Sequence, residues 1–544
     1  MPVSIYFLQN FSIVVTVISY LDNIYVKGFK YYYRFLIVEN NFYFEDYYIN
    51  YNILFELSLE IIIIVCIFYS LIALFNDRNV PIFQYHKWLI YFYLIFVVGI
   101  FQLIILNFPE SQLIFGFSWL ISYYILVSKL IILSLTIFVS WIIKRKLEFF
   151  LQSNYFIEFP LVLGFSVLFM FLLLSSYDFI ALYLTVEGLS LTLYVLAILL
   201  NQGIISVESA IKYFSLGAVS SGCLILGIGI IFGLIGSVDF LEVKTFLGSQ
   251  NSLYYNLEVT LSVLFILFAF FFKISAFPCH VWVADVYEGI WSPITAFFAI
   301  VIKVCLVLVF LQLLFDILFN TLIIFQSIFL FTSLGSLIVG SFGALKQIRI
   351  KRFLAYTSIN QIGFILLGIA SCSLLGLIAS IMYLGLYIIM NLIFFSVFLR
   401  TEHAIIEKNV VYLSDLYGIS SYSYETSIHF AITILSMAGL PPLGGFIGKL
   451  FIYFSAIEAR LDFSLLFTLL ISVLSAYYYL NCIRYIFFEK RGEYKLYYFI
   501  NDKKITFFLR CCSFFLVFFP MLLPYCFDFF IKLGFSCAWP FICG

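Results

Sequence analysis

Charge is scarce here. Of 544 residues, 11% are Asp, Glu, Lys or Arg, less than half of the roughly 25% that an ordinary soluble domain carries. With 64% of residues hydrophobic and a mean hydropathy of +1.12, no two- or three-domain arrangement in water could hide the apolar excess. An all-α polytopic membrane protein is the class that fits. A surplus of either sign is missing too: 29 Lys and Arg face 29 Asp and Glu, which gives nucleic-acid binding no support. There are only four histidines, His86, His280, His403 and His429, and no two have metal-ligand spacing, so no metal site is expected. The eleven cysteines form no C-x-x-C pair. Cys66, Cys223, Cys279, Cys305 and Cys372 sit in apolar runs, and Cys511 adjoins Cys512, so they read as packing residues. Nucleotide loops are wanting as well: Leu443 stands where a phosphate loop ending at Lys449 needs its first glycine, and Leu450 replaces the hydroxyl residue. Gly227-Ile228-Gly229 is followed by Phe232 where a dinucleotide fingerprint needs glycine. The first fifty residues do not read as a transit peptide, because Lys27, Lys30 and Arg34 are few and Glu39, Glu45 and Asp46 follow. Aromatics are plentiful, with 69 Phe and 40 Tyr; their AT-rich codons hint at an organelle genome.

A spanning helix needs about 20 predominantly apolar residues. By that measure the sequence predicts about fourteen spans, near 53–76, 87–107, 114–143, 157–175, 178–201, 206–235, 257–279, 293–315, 321–343, 353–371, 375–399, 427–456, 463–488 and 505–532. Loop charges support the count. Alternate loops, beginning after the first span, hold sixteen Lys and Arg, including Arg78, Lys87, Lys144–Lys146, Lys346, Arg349, Lys351, Arg352 and Arg400. The opposite loops hold two, Lys244 and Arg460. A miscounted span would have blurred that split, and Lys/Arg bias puts the rich side on the cytoplasm-like or matrix face, with both termini on the other.

Span 7 is interrupted at Ser275-Ala276-Phe277-Pro278, and span 12 at Gly439 to Gly445 with Pro441-Pro442 inside. Proline removes a backbone donor and clashes with the preceding turn, so both helices are expected to break in mid-membrane. Spans 4–8 and 9–13 are each five helices long, and each break falls in the fourth. An odd-numbered unit repeated in tandem must be inverted, and inverted repeats with matching breaks point to a transport site. Two unrelated proline kinks are the other reading.

A charge at a helix centre costs about 2.5–3.5 kcal/mol on insertion scales, so ionisable groups inside spans are functional candidates. Five stand out: Glu187 in span 5, Lys212 in span 6, Lys273 in span 7, Lys303 in span 8 and Lys449 in span 12. Lys273 and Lys449 flank the two breaks. A lysine taken out of water gives up its proton more readily, so such a set suits proton handling. Glu187 beside Lys212 reads either as a switch, paired in one state and separated in another, or as a static ion pair that fixes packing. His280, just after the span 7 break, reads either as a proton relay or as a hydrogen-bonded loop histidine. Lys129 and Lys532 read as structural or snorkelling residues. Glu56 and Glu60, one turn apart in span 1, face either a neighbouring subunit or, for Glu56, the interface.

Five stretches then carry a resemblance. Leu182–Leu191 (LYLTVEGLSL) and Ser209–Phe214 (SAIKYF) are similar to spans 5 and 6 of one family. Phe272–Trp282 (FKISAFPCHVW), running on to Asp285–Gly289 (DVYEG), resembles its broken seventh span and the loop after it. Ile350–Ile359 (IKRFLAYTSI) and Leu435–Phe446 (LSMAGLPPLGGF) resemble the start of its span 10 and its break in span 12. The family is that of the antiporter-like subunits of proton-pumping NADH:ubiquinone oxidoreductase, respiratory complex I. Within it the likeness is to subunit 2 (subunit N in bacteria), since span 12 holds lysine rather than the glutamate of subunit 4. The resemblance covers roughly residues 52–490; its usual Glu-Leu-Gln-Ser-Leu reads here Glu187-Gly188-Leu189-Ser190-Leu191, without the glutamine.

The resemblance implies an N-terminal extension at 1–50, helices 1–3 at 51–150, repeat I at 151–316, repeat II at 317–490, and a matrix loop with helix 14 at 491–544. By motif it makes Glu187 and Lys212 the coupling pair, Lys273 and Lys303 the central lysines, and Lys449 the outlet. It implies a proton-translocating part of a larger enzyme, with NADH, FMN, iron–sulfur clusters and quinone held by partner subunits and no cofactor here. Subunits 4 and 4L, lipids and transported protons are the partners it implies, in the mitochondrial inner membrane; the plastid relative that uses plastoquinone is an alternative. A stand-alone cation/proton antiporter shares the same repeat, and so would a scaffold that had lost pumping.

Overall fold

Apolar runs this long become helices because lipid offers no partner for a free backbone N–H or C=O. The structure, a computed structural model, describes residues 111–114, 118–149, 158–199, 203–249, 257–403, 411–421, 423–489, 497–499 and 503–538. The extension at 1–50, spans 1 and 2, and with them Glu56, Glu60 and His86, lie outside the described residues. Ten described helices are long and apolar enough to cross a membrane. Together with one shorter helix and one broken pair, they match every span expected between 114 and 532.

The helices are α1 (Tyr123–Phe149), α2 (Glu158–Ser175), α3 (Phe179–Leu199), α4 (Ile204–Ile235), α5 (Phe240–Ser249), α6 (Leu257–Ile274) and α7 (Val281–Gly289). There follow α8 (Ser292–Ile317), α9 (Leu322–Leu345), α10 (Ile350–Ala370) and α11 (Leu374–Phe398). The last four are α12 (Tyr424–Ala438), α13 (Gly444–Glu458), α14 (Asp462–Phe487) and α15 (Lys503–Ala538).

Three features depart from the hydropathy pattern. Span 3, expected from 114, starts at Tyr123: before it Gln112–Ile114 and Trp119–Ile121 pair as an antiparallel hairpin, with Gln112 opposite Ile121. A short apolar run serves strand and helix alike, and hydropathy does not separate them. The loop after span 6 contains α5, whose Phe240, Val243 and Leu247 face inward while Glu242 and Thr245 face out. Where a loop was expected after Pro278, the chain re-enters a helix, α7, because Trp282, Val283, Val286 and Tyr287 offer a buried apolar face.

The two breaks share one backbone geometry. At the end of α6, Ser275 (φ 65°) donates its N–H to Phe272 O, and Ala276 N–H to Phe271 O. At the end of α12, Gly439 (φ 82°) donates to Ser436 O and Leu440 to Leu435 O. Both are Schellman caps, which satisfy carbonyls that the stopped helix leaves open. In each, a proline stands three residues after the left-handed position, and a second half-helix comes next.

Between the breaks runs α8, every residue of which is buried among its neighbours. It packs on α1, α2, α6, α11 and α15. Two π-helical turns interrupt it, Phe298–Ile302 and Leu313–Ile317. Such turns shift the register of side chains and often mark functional positions. Here the first immediately precedes Lys303 and the second contains Asp316, the only two charges in the helix.

Candidate functional site: buried lysines along the broken helices

Lys449 sits one and a half turns into α13 with its side chain 3% exposed. Its ammonium donates to Ala438 O at 2.8 Å and Met437 O at 3.2 Å, the last carbonyls of α12. A helix C-terminus carries partial negative charge, so the broken half-helix itself supplies the counter-charge. The Phe364 ring lies 4.6 Å from the same nitrogen, a cation–π contact in a desolvated place. Glycine is required at the crossing: a Cβ on Gly439 would meet Lys449 Cδ and Nζ at 2.9 Å, and one on Gly445 would run into the Ser436 carbonyl.

Lys303, at the exit of the first π turn of α8, is 4% exposed and donates to Ser358 Oγ on α10 at 3.0 Å. From Ser358 a row of side chains runs along α10 at i, i+3 and i+6: Ser358, Gln361, Phe364. Gln361 donates to Tyr479 Oη at 3.3 Å and accepts from Tyr383 Oη, and Tyr383 packs against Phe364, the ring beneath Lys449. α10 therefore contacts both lysines, Lys303 through Ser358 and Lys449 through the Phe364 ring, with Gln361 between. Sequence reasoning misses this row. Its only trace there is that α10 has the lowest hydropathy of the described long helices, 1.6.

Lys273 lies in the last turn of α6 and is half-buried. Glu187 accepts a hydrogen bond from Ser190 Oγ at 3.0 Å. Lys212 is not paired with Glu187. Its ammonium binds Glu208, one turn earlier, at 2.7 Å and Asp285 of α7 at 3.2 Å, and its side chain is 46% exposed. The reason is rotational: the next residue, Tyr213, is the one wedged between Tyr194 of α3 and Trp282 of α7, which swings Lys212 away from α3. Asp285 also pairs with Arg352, and Glu288 with Arg349 and Arg352, so ion pairs tie α4 and α7 to the start of α10.

His280 sits in the break with its ring stacked on Phe277, centroids 5.8 Å apart. Lys129 does not snorkel: it is 2% exposed, 5.9 Å from the Phe171 ring. Among the described residues, no three His, Cys, Asp or Glu side chains converge as a metal site. The structure therefore sets Lys303 and Lys449 against α10 and moves Lys212 to an ion-pair network near the helix ends.

A wholly buried helix and two matched broken helices, each with a lysine near its break, define an antiporter-like multi-pass membrane protein. Residues 176–475 match the family described as NADH:quinone oxidoreductase/Mrp antiporter, transmembrane, and the chain belongs to that family. It is 38% identical over 359 residues to NADH-quinone oxidoreductase subunit N of Pelagibacter ubique, covering 65% of this chain and 74% of that protein. It is 38% identical over 338 residues to subunit N 1 of Rhizobium meliloti, covering 62% and 70%. The fold is shared with a chain of respiratory complex I from Thermus thermophilus (TM-score 0.71, 24% identity, 86% of this chain and 98% of that one). It is likewise shared with one of the Mrp complex from Dietzia (TM-score 0.74, 16% identity, 90% and 99%).

Proposed function

We propose that this chain is the subunit N (subunit 2) type of membrane-arm subunit in an NADH–quinone oxidoreductase, and that it translocates protons. NADH oxidation and quinone reduction take place in partner subunits, which hold the NADH, FMN, iron–sulfur and quinone sites. The observation that carries the reading is the buried row Lys303–Ser358–Gln361–Phe364–Lys449, whose two cations lack any carboxylate partner among the described residues. An ammonium that is hydrogen-bonded but not ion-paired can lose its proton without stranding a buried anion.

In this reading Glu187 sets the charge felt by Lys273. A proton then passes to Lys303, and the change of charge there is felt across the α10 row at Lys449, where the carbonyl ends of α12 hold a second proton before release. Moving one proton against 100 mV costs about 2.3 kcal/mol, which energy from the redox subunits must supply. Lys212 would couple the repeats through Asp285 and Arg352, and His280 is kept as a relay candidate. The partition into an extension (1–50), helices 1–3 (51–150), repeat I (151–316), repeat II (317–490) and a terminal segment (491–544) belongs to this proposal, supported by the matched caps. So do subunits 4 and 4L as neighbours. The loop asymmetry supports basic loops on the matrix side of a mitochondrial inner membrane, with both termini in the intermembrane space.

The test is Lys303→Met in the assembled complex, read as protons moved per NADH oxidised. The yield should collapse; an unchanged yield would discard the pumping role. The likeness to the Mrp chain favours one rival, a stand-alone cation/proton antiporter. Purification separates the two: co-migration with flavin and iron–sulfur subunits supports the oxidoreductase, and sodium-driven exchange without them supports the antiporter.

A further inference from the structure

At the end of the bundle opposite the basic loops, a buried carboxylate has no part in the lysine path. Asp316 lies in the second π turn of α8 and is 0% exposed. Lys244 of α5 donates to its Oδ1 at 2.6 Å, and Tyr177, from the α2–α3 loop, donates to its Oδ2 at 3.0 Å. Among the described residues, Cys537 of α15 also lies near enough to feel its charge. Lys244 is not sealed in: its side chain is 33% exposed, on a short helix outside the spans. The α2–α3 and α4–α5 connections meet here, with Asp178 bridged to Asp239 and the Tyr177 ring 5.3 Å from Phe240.

A purely structural anchor does not need a charge, since burying an ion pair costs about as much as it returns and an apolar contact would hold α5 as well. The arrangement has instead three features of a proton site. The carboxylate is dry, its counter-ion can reach water, and a second donor holds the other oxygen so that the carboxyl stays placed when the lysine leaves. Gln312, buried one turn earlier on α8, extends polar character inward from Asp316. It also shares its helix with Lys303, each of the two charges beside its own π turn.

We propose that Asp316, with Lys244 as displaceable counter-ion and Tyr177 as holder, is a second proton-handling site, connecting repeat I to water on the face opposite the basic loops. A proton delivered to Asp316 from inside repeat I, past Gln312, neutralises the carboxylate and frees the Lys244 ammonium toward solvent. Loss of that proton to the water on that face restores the pair. Only an O–H bond forms and breaks, and the proton is the transported species. The proposal rests on the pumping function proposed for the chain.

The experiment uses the assembled complex in proteoliposomes and reads protons moved per NADH oxidised for Asp316→Asn, Asp316→Glu, the double variant Asp316→Asn/Lys244→Gln, and Lys303→Met in parallel. The yield should fall severalfold in Asp316→Asn and stay low in the double variant, while Asp316→Glu, which keeps a carboxyl, should recover most of it. A double variant with wild-type yield would overturn the proposal, because two neutral amides can replace a packing contact but cannot carry a proton. Should Asp316→Asn alone fail to assemble, the double variant decides. An unchanged yield in Lys303→Met sinks the pumping reading itself. Loss there, with wild-type yield in the double variant, sinks only the role of Asp316.

Discussion

Among single residues, the buried lysines Lys303 and Lys449 were legible because a charge in an apolar run is conspicuous, whereas their partners were not. Lys449 reads in sequence as a cation after a double proline; that the carbonyls of α12 answer it depends on the half-helices crossing at Gly445 and Gly439. Gly439→Ala tests this crossing. A left-handed residue with a Cβ costs about 1–2 kcal/mol, and that Cβ would stand 2.9 Å from the Lys449 nitrogen. Reduced proton yield per NADH and a lowered unfolding temperature of the purified complex are expected together. Ser275 holds the equivalent left-handed position in the first break at φ 65°. Ser275→Gly should raise the unfolding temperature slightly, since glycine removes about 1 kcal/mol of backbone cost; a fall would argue that the serine hydroxyl matters more than its φ.

Among the elements, prolines announced both breaks, but the half-helix beyond the first was not announced. The residues after Pro278 contain Asp285 and Glu288 and look like a polar loop, yet they fold as α7. Trp282 and Tyr287 are buried, and both acids find arginines on α10, a helix more than sixty residues away in sequence. The same limit hid the α10 row. Ser358 and Gln361 are ordinary helix residues until α8, α11 and α14 bring Lys303, Tyr383 and Tyr479 against them. Gln361→Leu keeps the volume and removes the amide. Proton yield should drop well below wild type, with NADH oxidation persisting, measured in the same vesicles; a wild-type yield would show that the row is packing only.

Across the whole molecule, the loop charges and the tertiary contacts agree. Arg349 and Arg352 meet Asp285 and Glu288 at one end of the bundle, and Lys244 meets Asp316 at the other. Exposed positions can be used to check the orientation. A membrane-impermeant maleimide added to one face of sealed vesicles should label Ile348→Cys but not Thr245→Cys, and the reverse from the other face. Labelling of both from one face would break the alternation on which the span count rests.

The amino-acid order alone is enough for the class, the spans within the described residues, both helix breaks and the two lysines, Lys303 and Lys449, that lie buried in the bundle. Apolar length, proline chemistry and the desolvation cost of charge act locally and leave their mark on neighbouring residues. Which groups meet is a matter of tertiary packing. Packing turned Lys212 from Glu187 to Asp285, set Lys303 and Lys449 on one face of α10, and brought Lys244 onto the buried Asp316. Those pairings depend on the rotation of each helix about its axis, which is fixed by contacts between segments far apart in the chain.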